Sequence, residues 1–150
     1  MKTQNITFVC VAIIFSYQVE TTAREYNVWY TRDGVLYGLT QTSDSRPVQI
    51  SISSHGLEEV GMVITFQDKL PCNDDVKNPL KIDSINVKYK IICASLDRGY
   101  IKSYTITDPN IINYVLNRLR SDFTVVLSGG TKVWAGNIRE PVYGTGSPDE

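Results

Sequence analysis

The sequence predicts a mainly β protein, an antiparallel β-sandwich or partly open barrel of seven or eight strands, with one helix before the last hairpin. Three observations carry this. Short runs rich in Val, Ile, Thr and Tyr alternate with polar residues at a period of two, the pattern of half-buried strands. Turn-forming residues separate these runs at close spacing. Only one stretch, after Asp108-Pro109, repeats its apolar residues at helical period. One crossover-length helix is too few for a parallel α/β sheet, where each parallel pair needs its own crossover.

Residues 1–23 read as an export signal. Lys2 gives a basic start, Ile6 to Tyr17 is an apolar run, and Thr21-Thr22-Ala23 places small residues before Arg24, the order of a secretory signal. The run is shorter than the roughly 20 apolar residues of a spanning helix. The expectation is a periplasmic or secreted protein with one β-rich domain over 24–141, a flexible tail over 142–150, and no stable membrane insertion once the signal is removed. Cleavage would take Cys10 away and leave Cys72 and Cys93 as an even pair.

Tyr26 to Thr31 and Val35 to Thr42 flank Asp33-Gly34, a pair suited to the type I′ turn because both central residues need positive φ. Ser43 to Pro47 is a loop. Val48, Ile50 and Ile52 alternate with Gln49, Ser51 and Ser53, and Met62, Ile64 and Phe66 share one face of a strand over 62–67. Between them, 54–61 is a turn region, with Leu57 to Val60 able to wind one helical turn. Residues 68–79 form a polar, proline-flanked loop. Leu80 to Ile82 begins a strand, and Ile85, Val87, Tyr89, Ile91 and Cys93 alternate as one long strand. Across the Asp97-Arg98-Gly99 turn, Tyr100 to Ile106 is its partner, and the alternation leaves open which face of it is buried.

Asp108 can cap a first helical turn, and Pro109 suits the first helical position because it has no amide hydrogen to satisfy. The helix runs to about Arg120, with Ile112, Val115, Leu116 and Leu119 on its apolar face and Arg118 and Arg120 at its negative end. Phe123 to Leu127 and Lys132 to Ile138 make a last hairpin across Ser128-Gly129-Gly130-Thr131.

Near-neutral charge, with 15 basic and 16 acidic residues, gives no basic surface for nucleic acid. Cys72 and Cys93 lack Cys-x-x-Cys spacing and read as a disulfide tying the 68–79 loop to a strand. Closing such a loop stabilises by about 3 kcal/mol in the chain-entropy model. His55 is the single histidine; it lies near Ser53, Ser54, Glu58 and Glu59, and a small hydrolase built on it is an alternative reading, whereas an exposed loop histidine is the plainer one. One histidine and two bonded cysteines cannot make a zinc site. Asp74 and Asp75 lack EF-hand spacing and read as a solvated acidic loop. Ser128 to Thr131 joins two strands, so no phosphate-cradling helix follows it. No cofactor is expected. Tyr26, Tyr30 and Tyr37 cluster on the first hairpin; with Asp74 and Asp75 they are the candidate partner-binding residues.

From Trp29 to about Gly136 the order of features resembles the invasion-associated locus B family of exported bacterial proteins. The corresponding pieces are Trp29, Thr40-Gln41, Val48 to Ser53, Met62 to Gln67, Cys93, Gly99-Tyr100, Ile101 to Ile106, Ile111 to Leu119 and Phe123 to Leu127. Tyr100 stands where the family tends to have cysteine, the cysteines near the first hairpin are missing, and the family's closing segment is absent. The resemblance implies a periplasmic or surface β-sandwich with a non-catalytic envelope- or host-associated role. The reading is an exported, non-enzymatic domain that binds a protein partner, with a periplasmic inhibitor or immunity protein as the alternative in the same compartment.

Overall fold

The structure, a computed structural model, describes residues 25–53, 61–72 and 79–146. Its strands are β1 (Trp29–Arg32), β2 (Val35–Gln41), β3 (Pro47–Ser53), β4 (Met62–Asp68), β5 (Lys81–Ile82), β6 (Ile85–Asn86), β7 (Lys90–Leu96), β8 (Gly99–Ile106), β9 (Val125–Val126), β10 (Lys132–Val133) and β11 (Val142–Tyr143), with the helix α1 (Pro109–Arg120) between β8 and β9. Asp33 and Gly34 take φ of 52° and 78°, so the expected type I′ turn joins β1 to β2. Antiparallel pairing continues from β2 to β3 and β4, and β8 then lies beside β4 with β7 outside it. The result is an open seven-stranded sheet in the order β11-β1-β2-β3-β4-β8-β7, parallel only where β11 meets β1.

One face of this sheet is the core face. Register aligns Trp29, Gly38, Ile50, Ile64 and Tyr104 in one row, and Leu36, Ile52, Met62 and Ile106 in the next. These rows pack with Ile112, Val115, Leu116 and Leu119 of α1, with Leu80, Ile82 and Val87 around the β5–β6 hairpin, and with Val125, Leu127 and Val133 of the β9–β10 ladder. The fold is therefore mainly β and sandwich-like, with α1 and the two short ladders serving as the second layer. The opposite face carries Tyr30, Tyr37, Ser51, Thr65 and Ser103, mostly half-buried, and the Thr65 and Ser103 hydroxyls share a 3.0 Å hydrogen bond.

Helix α1 begins and ends as its sequence requires. The Asp108 carboxylate accepts a 2.9 Å hydrogen bond from the Asn110 amide, and Pro109 opens the helix. At the other end Asp122 takes the left-handed conformation at φ 63°. The amide of Asp122 then reaches the Leu119 carbonyl, and that of Phe123 reaches the Arg118 carbonyl, which is the Schellman closure.

Three segments differ from the sequence-based expectation. Asp83 and Ser84 both take positive φ and fold β6 back on β5, and the long alternating strand over 85–93 is interrupted at 87–89. Val87 then turns into the core, its amide bonded to the Leu80 carbonyl, before β7 begins at Lys90. The last hairpin is short because residues 128–130 wind a 3₁₀ turn and 136–139 form turns in place of strand. Val142 and Tyr143, expected in a flexible tail, pair beside Tyr30 and Thr31; the Gly144 amide donates to the Thr31 carbonyl, and Gly146 lies against the Tyr30 ring.

Trp29 fixes the β1–β2 corner. Its ring is buried, its Nε1 donates to the Trp134 carbonyl at 2.9 Å, and the Asn137 side chain accepts from the Trp29 amide and donates to its carbonyl. A Cβ on Gly38 would stand 2.9 Å from the indole. Gly38→Val should therefore destabilise the protein by about 1–3 kcal/mol through overpacking, read as a lower urea midpoint with an unchanged slope.

Candidate functional site

The first place where polar side chains converge is a cleft of about 620 Å³ at one end of the core face, between the β2–β3 loop, the end of β4 and the Ser128–Gly130 turn. Parity puts Lys102 of β8 on the core side with Tyr104 and Ile106, and the residue is only 2% exposed. Phe66 is its direct cross-strand partner, so Asp68, two residues on along β4, is a diagonal neighbour on the same face. The Lys102 ammonium stands 3.2 Å from Asp68 Oδ2. Asp68 also accepts from the Leu70 amide at 3.1 Å and stands 3.4 Å from the Arg46 guanidinium. Arg46 in turn donates to the Gln67 carbonyl at 2.7 Å and to Asp44 at 2.8 Å.

Electrostatics follow from these contacts. Partial burial pushes the Asp68 carboxyl up, but the Leu70 amide and Lys102 outweigh it and hold the group below its ordinary range. Asp44 is lowered by the Thr42 hydroxyl and then by Arg46. Each carboxylate thus faces a cation. This is an arrangement that fastens the β2–β3 loop to the end of β4.

A second recess, of about 600 Å³, lies beside the tip of the β5–β6 hairpin. Asp83 accepts from the Tyr114 hydroxyl at 2.9 Å and from the Val126 amide at 2.8 Å. Arg118 Nε stands 3.1 Å from Asp83 but out of line for a hydrogen bond, so that contact is Coulombic. Burial, and then the Asp83 carboxylate, raise the Tyr114 phenol above its ordinary value. These groups knit hairpin, helix and β9 together. Ser128, in the loop that could be taken for a phosphate cradle, accepts from the Lys81 amide at 2.7 Å and serves the same structural end.

The second place is the outer edge of β7. Leu96 and Gly99 flank the two-residue Asp97-Arg98 turn and so form its closing hydrogen-bonded pair. The ladder to β8 therefore uses the backbone of Lys90, Ile92, Ala94 and Leu96, while the amides and carbonyls of Ile91, Cys93 and Ser95 point outward. No strand among the described residues lies beyond β7. Along it, Ile92 is 69% exposed, Leu96 47% and Ile91 37%. At the far side of the sheet β11 is only two residues long and follows Pro141.

Cys72 and Cys93 are paired at a Cα separation of 6.0 Å, which ties the segment after β4 to the middle of β7. Tyr30 and Tyr37 stand opposite each other, half-buried, on the outer face of the sheet. Tyr26 is exposed before β1, so the three do not form one exposed patch. His55, Asp74 and Asp75, the 54–60 turn and the 1–24 segment lie outside the described residues. Among the described residues no three or more His, Cys, Asp or Glu side chains gather as metal ligands, and no helix is long and apolar enough to cross a membrane. Sequence reasoning missed Lys102 and the β7 edge. The lysine is disguised as the solvent-side residue of an alternating strand, and the strand's apolar content reads as core.

Comparison with protein-family models, with curated proteins and with solved structures finds no match to this chain.

Asp68 holds its proton less tightly folded than unfolded, so its stabilisation is full above about pH 4, the unfolded value, and is lost as pH falls through the lower folded value. Asp68→Asn should cost about 1–3 kcal/mol at pH 7. It should also flatten the fall in stability below pH 4, measured as urea unfolding across pH 2–7.

Proposed function

We propose that this chain is an exported, non-enzymatic binding domain that engages a protein partner by strand addition at β7. The observation that carries the reading is the edge itself: a seven-residue strand whose Ile91, Cys93 and Ser95 backbone groups point outward, with Ile91, Ile92 and Leu96 exposed along it. Folded proteins ordinarily blunt such edges with proline, short strands or a covering element, because a free edge templates pairing with another chain. Here β11 is two residues long and follows Pro141, whereas β7 is seven residues long, holds no proline and has no strand beyond it among the described residues. Strand addition draws affinity from main-chain hydrogen bonds and selectivity from alternate side chains. On β7 these side chains are Ile92, Ala94 and Leu96 on one face and Ile91 on the other. The Cys72–Cys93 pair keeps the edge ordered before the partner arrives, which lowers the entropy cost of binding. An envelope or extracellular setting follows from the signal-like residues 1–23 and fits a disulfide-bonded pair.

The inhibitor reading has one observation of its own. Leu70 is 56% exposed and lies two residues from the disulfide-held Cys72, the kind of braced apolar projection that can fill a pocket on an enzyme.

Ser95→Pro removes an outward-pointing donor and leaves the ladder to β8 intact. Wild-type protein used as bait in an extract of its source cells should retain a specific partner that Ser95→Pro loses at least about tenfold, the equivalent of ~1.4 kcal/mol. Retention by Ser95→Pro equal to wild type would remove the edge from the account, and loss with Leu70→Asp instead would favour the inhibitor reading.

A further inference from the structure

We infer that the outer face of the seven-stranded sheet is covered by a second copy of this chain, packed sheet on sheet across a two-fold axis. This goes beyond strand addition and is independent of it, because stacking leaves the outward backbone of Ile91, Cys93 and Ser95 free. Among the described residues the second layer, α1 with the two short ladders, lies on the core face, and Gly146 rests against the Tyr30 ring at one corner of the outer face. On that outer face β1 and β2 contribute Tyr30, Tyr37 and Leu39. At the other side β7 and β8 contribute Ile92, Ala94, Leu96 and Ile101, with Ile92 69% exposed. Between these flanks β3 and β4 contribute mainly Gln49, Ser51, Thr65 and Gln67. Charge is missing where water would call for it: 21% of the chain is charged, yet the strands of this face carry no acidic side chain, and their cations, Arg32 and Lys90, stand at the ends of β1 and β7. Loss of charge with gain of tyrosine is the mark of the buried centre of an interface, whereas a solvated face mixes charges of both signs.

The layout of the face selects a second copy as the occupant. It runs from apolar flank through a hydroxyl and amide middle to apolar flank, so a two-fold axis between the sheets lays flank on flank and middle on middle, whether it runs along the strands or across them. Near the axis each residue meets its own copy or a close neighbour of it. Hydroxyls and amides both donate and accept, so Gln49, Ser51 and Thr65 can bond to their copies, where charged side chains would repel. A partner without this banding would set polar groups against the flanks. Extent agrees as well. Six strands, β1 to β4 with β8 and β7, at ~4.8 Å spacing and ~3.3 Å per residue cover roughly 600 Å² in plan. Side-chain relief takes the accessible area toward the ~800 Å² that each partner gives to a standard interface. The stacked sheets would lie ~10 Å apart with strands aligned within ~30°, the ordinary packing of a sandwich, and each copy has one such face, so association stops at two chains.

The test is the mass of the disulfide-intact chain by light scattering across dilution from about 200 µM to 1 µM, a range set by micromolar-scale affinity. Wild type should show twice the monomer mass at the top of the range. Gln49→Glu places a carboxylate in the middle of the face and Ile92→Glu places one on a flank; each should weaken association at least about tenfold, with unchanged far-UV circular dichroism. Both residues are exposed in the single chain, so either variant decides the matter if the other does not fold. Ser95→Pro, which alters the β7 edge alone, should remain dimeric. A wild-type monomer at every concentration, a dimer that survives Gln49→Glu and Ile92→Glu, or a dimer lost with Ser95→Pro while far-UV circular dichroism is unchanged overturns the inference. If wild type is monomeric and a different protein captured from source-cell extract is lost with Gln49→Glu, the face belongs to that protein and the second copy is excluded.

Discussion

The fold depends on a sheet that the described residues cover on one face only, and the seat of Trp29 over Gly38 sets which face that is. The indole needs a neighbouring position without a side chain, and a Cβ on Gly38 would stand 2.9 Å from it. Once these two are opposed, pairing commits Ile50, Ile64 and Tyr104 to the same side, since a slip of one residue would turn every side chain over. Asn137 closes the corner. With β1 bonded to β2 through one edge, its side-chain amide satisfies both the amide and the carbonyl of Trp29, standing in for a strand that the described residues do not supply there.

A one-sided sheet has consequences at both ends. At the cleft, the parity that buries Tyr104 and Ile106 also brings Lys102 inside, and an ammonium there requires an anion. Asp68 meets this need and carries Arg46 and the β2–β3 loop with it. At the last strand, the second layer formed by the described residues stops short of β7, and Ile91 on the core side is exposed beside Ile92 on the other. Among the described residues the exposed apolar edge is thus where the covering layer ends, and this is what supports the proposed strand addition there.

Much of this was legible in the chain. Asp33-Gly34, Asp108-Pro109 and the helical spacing of Ile112, Val115, Leu116 and Leu119 each carry a local rule strong enough to act alone, and the structure follows them. The mainly β class and the Cys72–Cys93 pair also follow from pattern and arithmetic. What was hidden needs tertiary information. Ile85 to Cys93 alternates like one strand, but it is interrupted at Val87 to Tyr89, where Val87 turns into the core and bonds the Leu80 carbonyl. Lys102 looks like a solvent residue until the face it shares with Tyr104 and Ile106 is seen to be the buried one. Val142 and Tyr143 find an edge that is distant in sequence. The β7 edge was illegible for the same reason, because whether a strand is central or terminal depends on pairings that its own residues do not encode.

The central claim is that the outward backbone of β7 is open in the isolated chain and closed by a partner. Amide hydrogen exchange resolved to single residues addresses it directly. In dilute solution Ile91, Cys93 and Ser95 should exchange at least about tenfold faster than Ile92 and Ala94, whose amides bond to β8, and the difference should vanish when the edge is occupied. Equal protection of all five amides in the dilute monomer would mean that the edge is already covered by the chain itself, and would contradict the account.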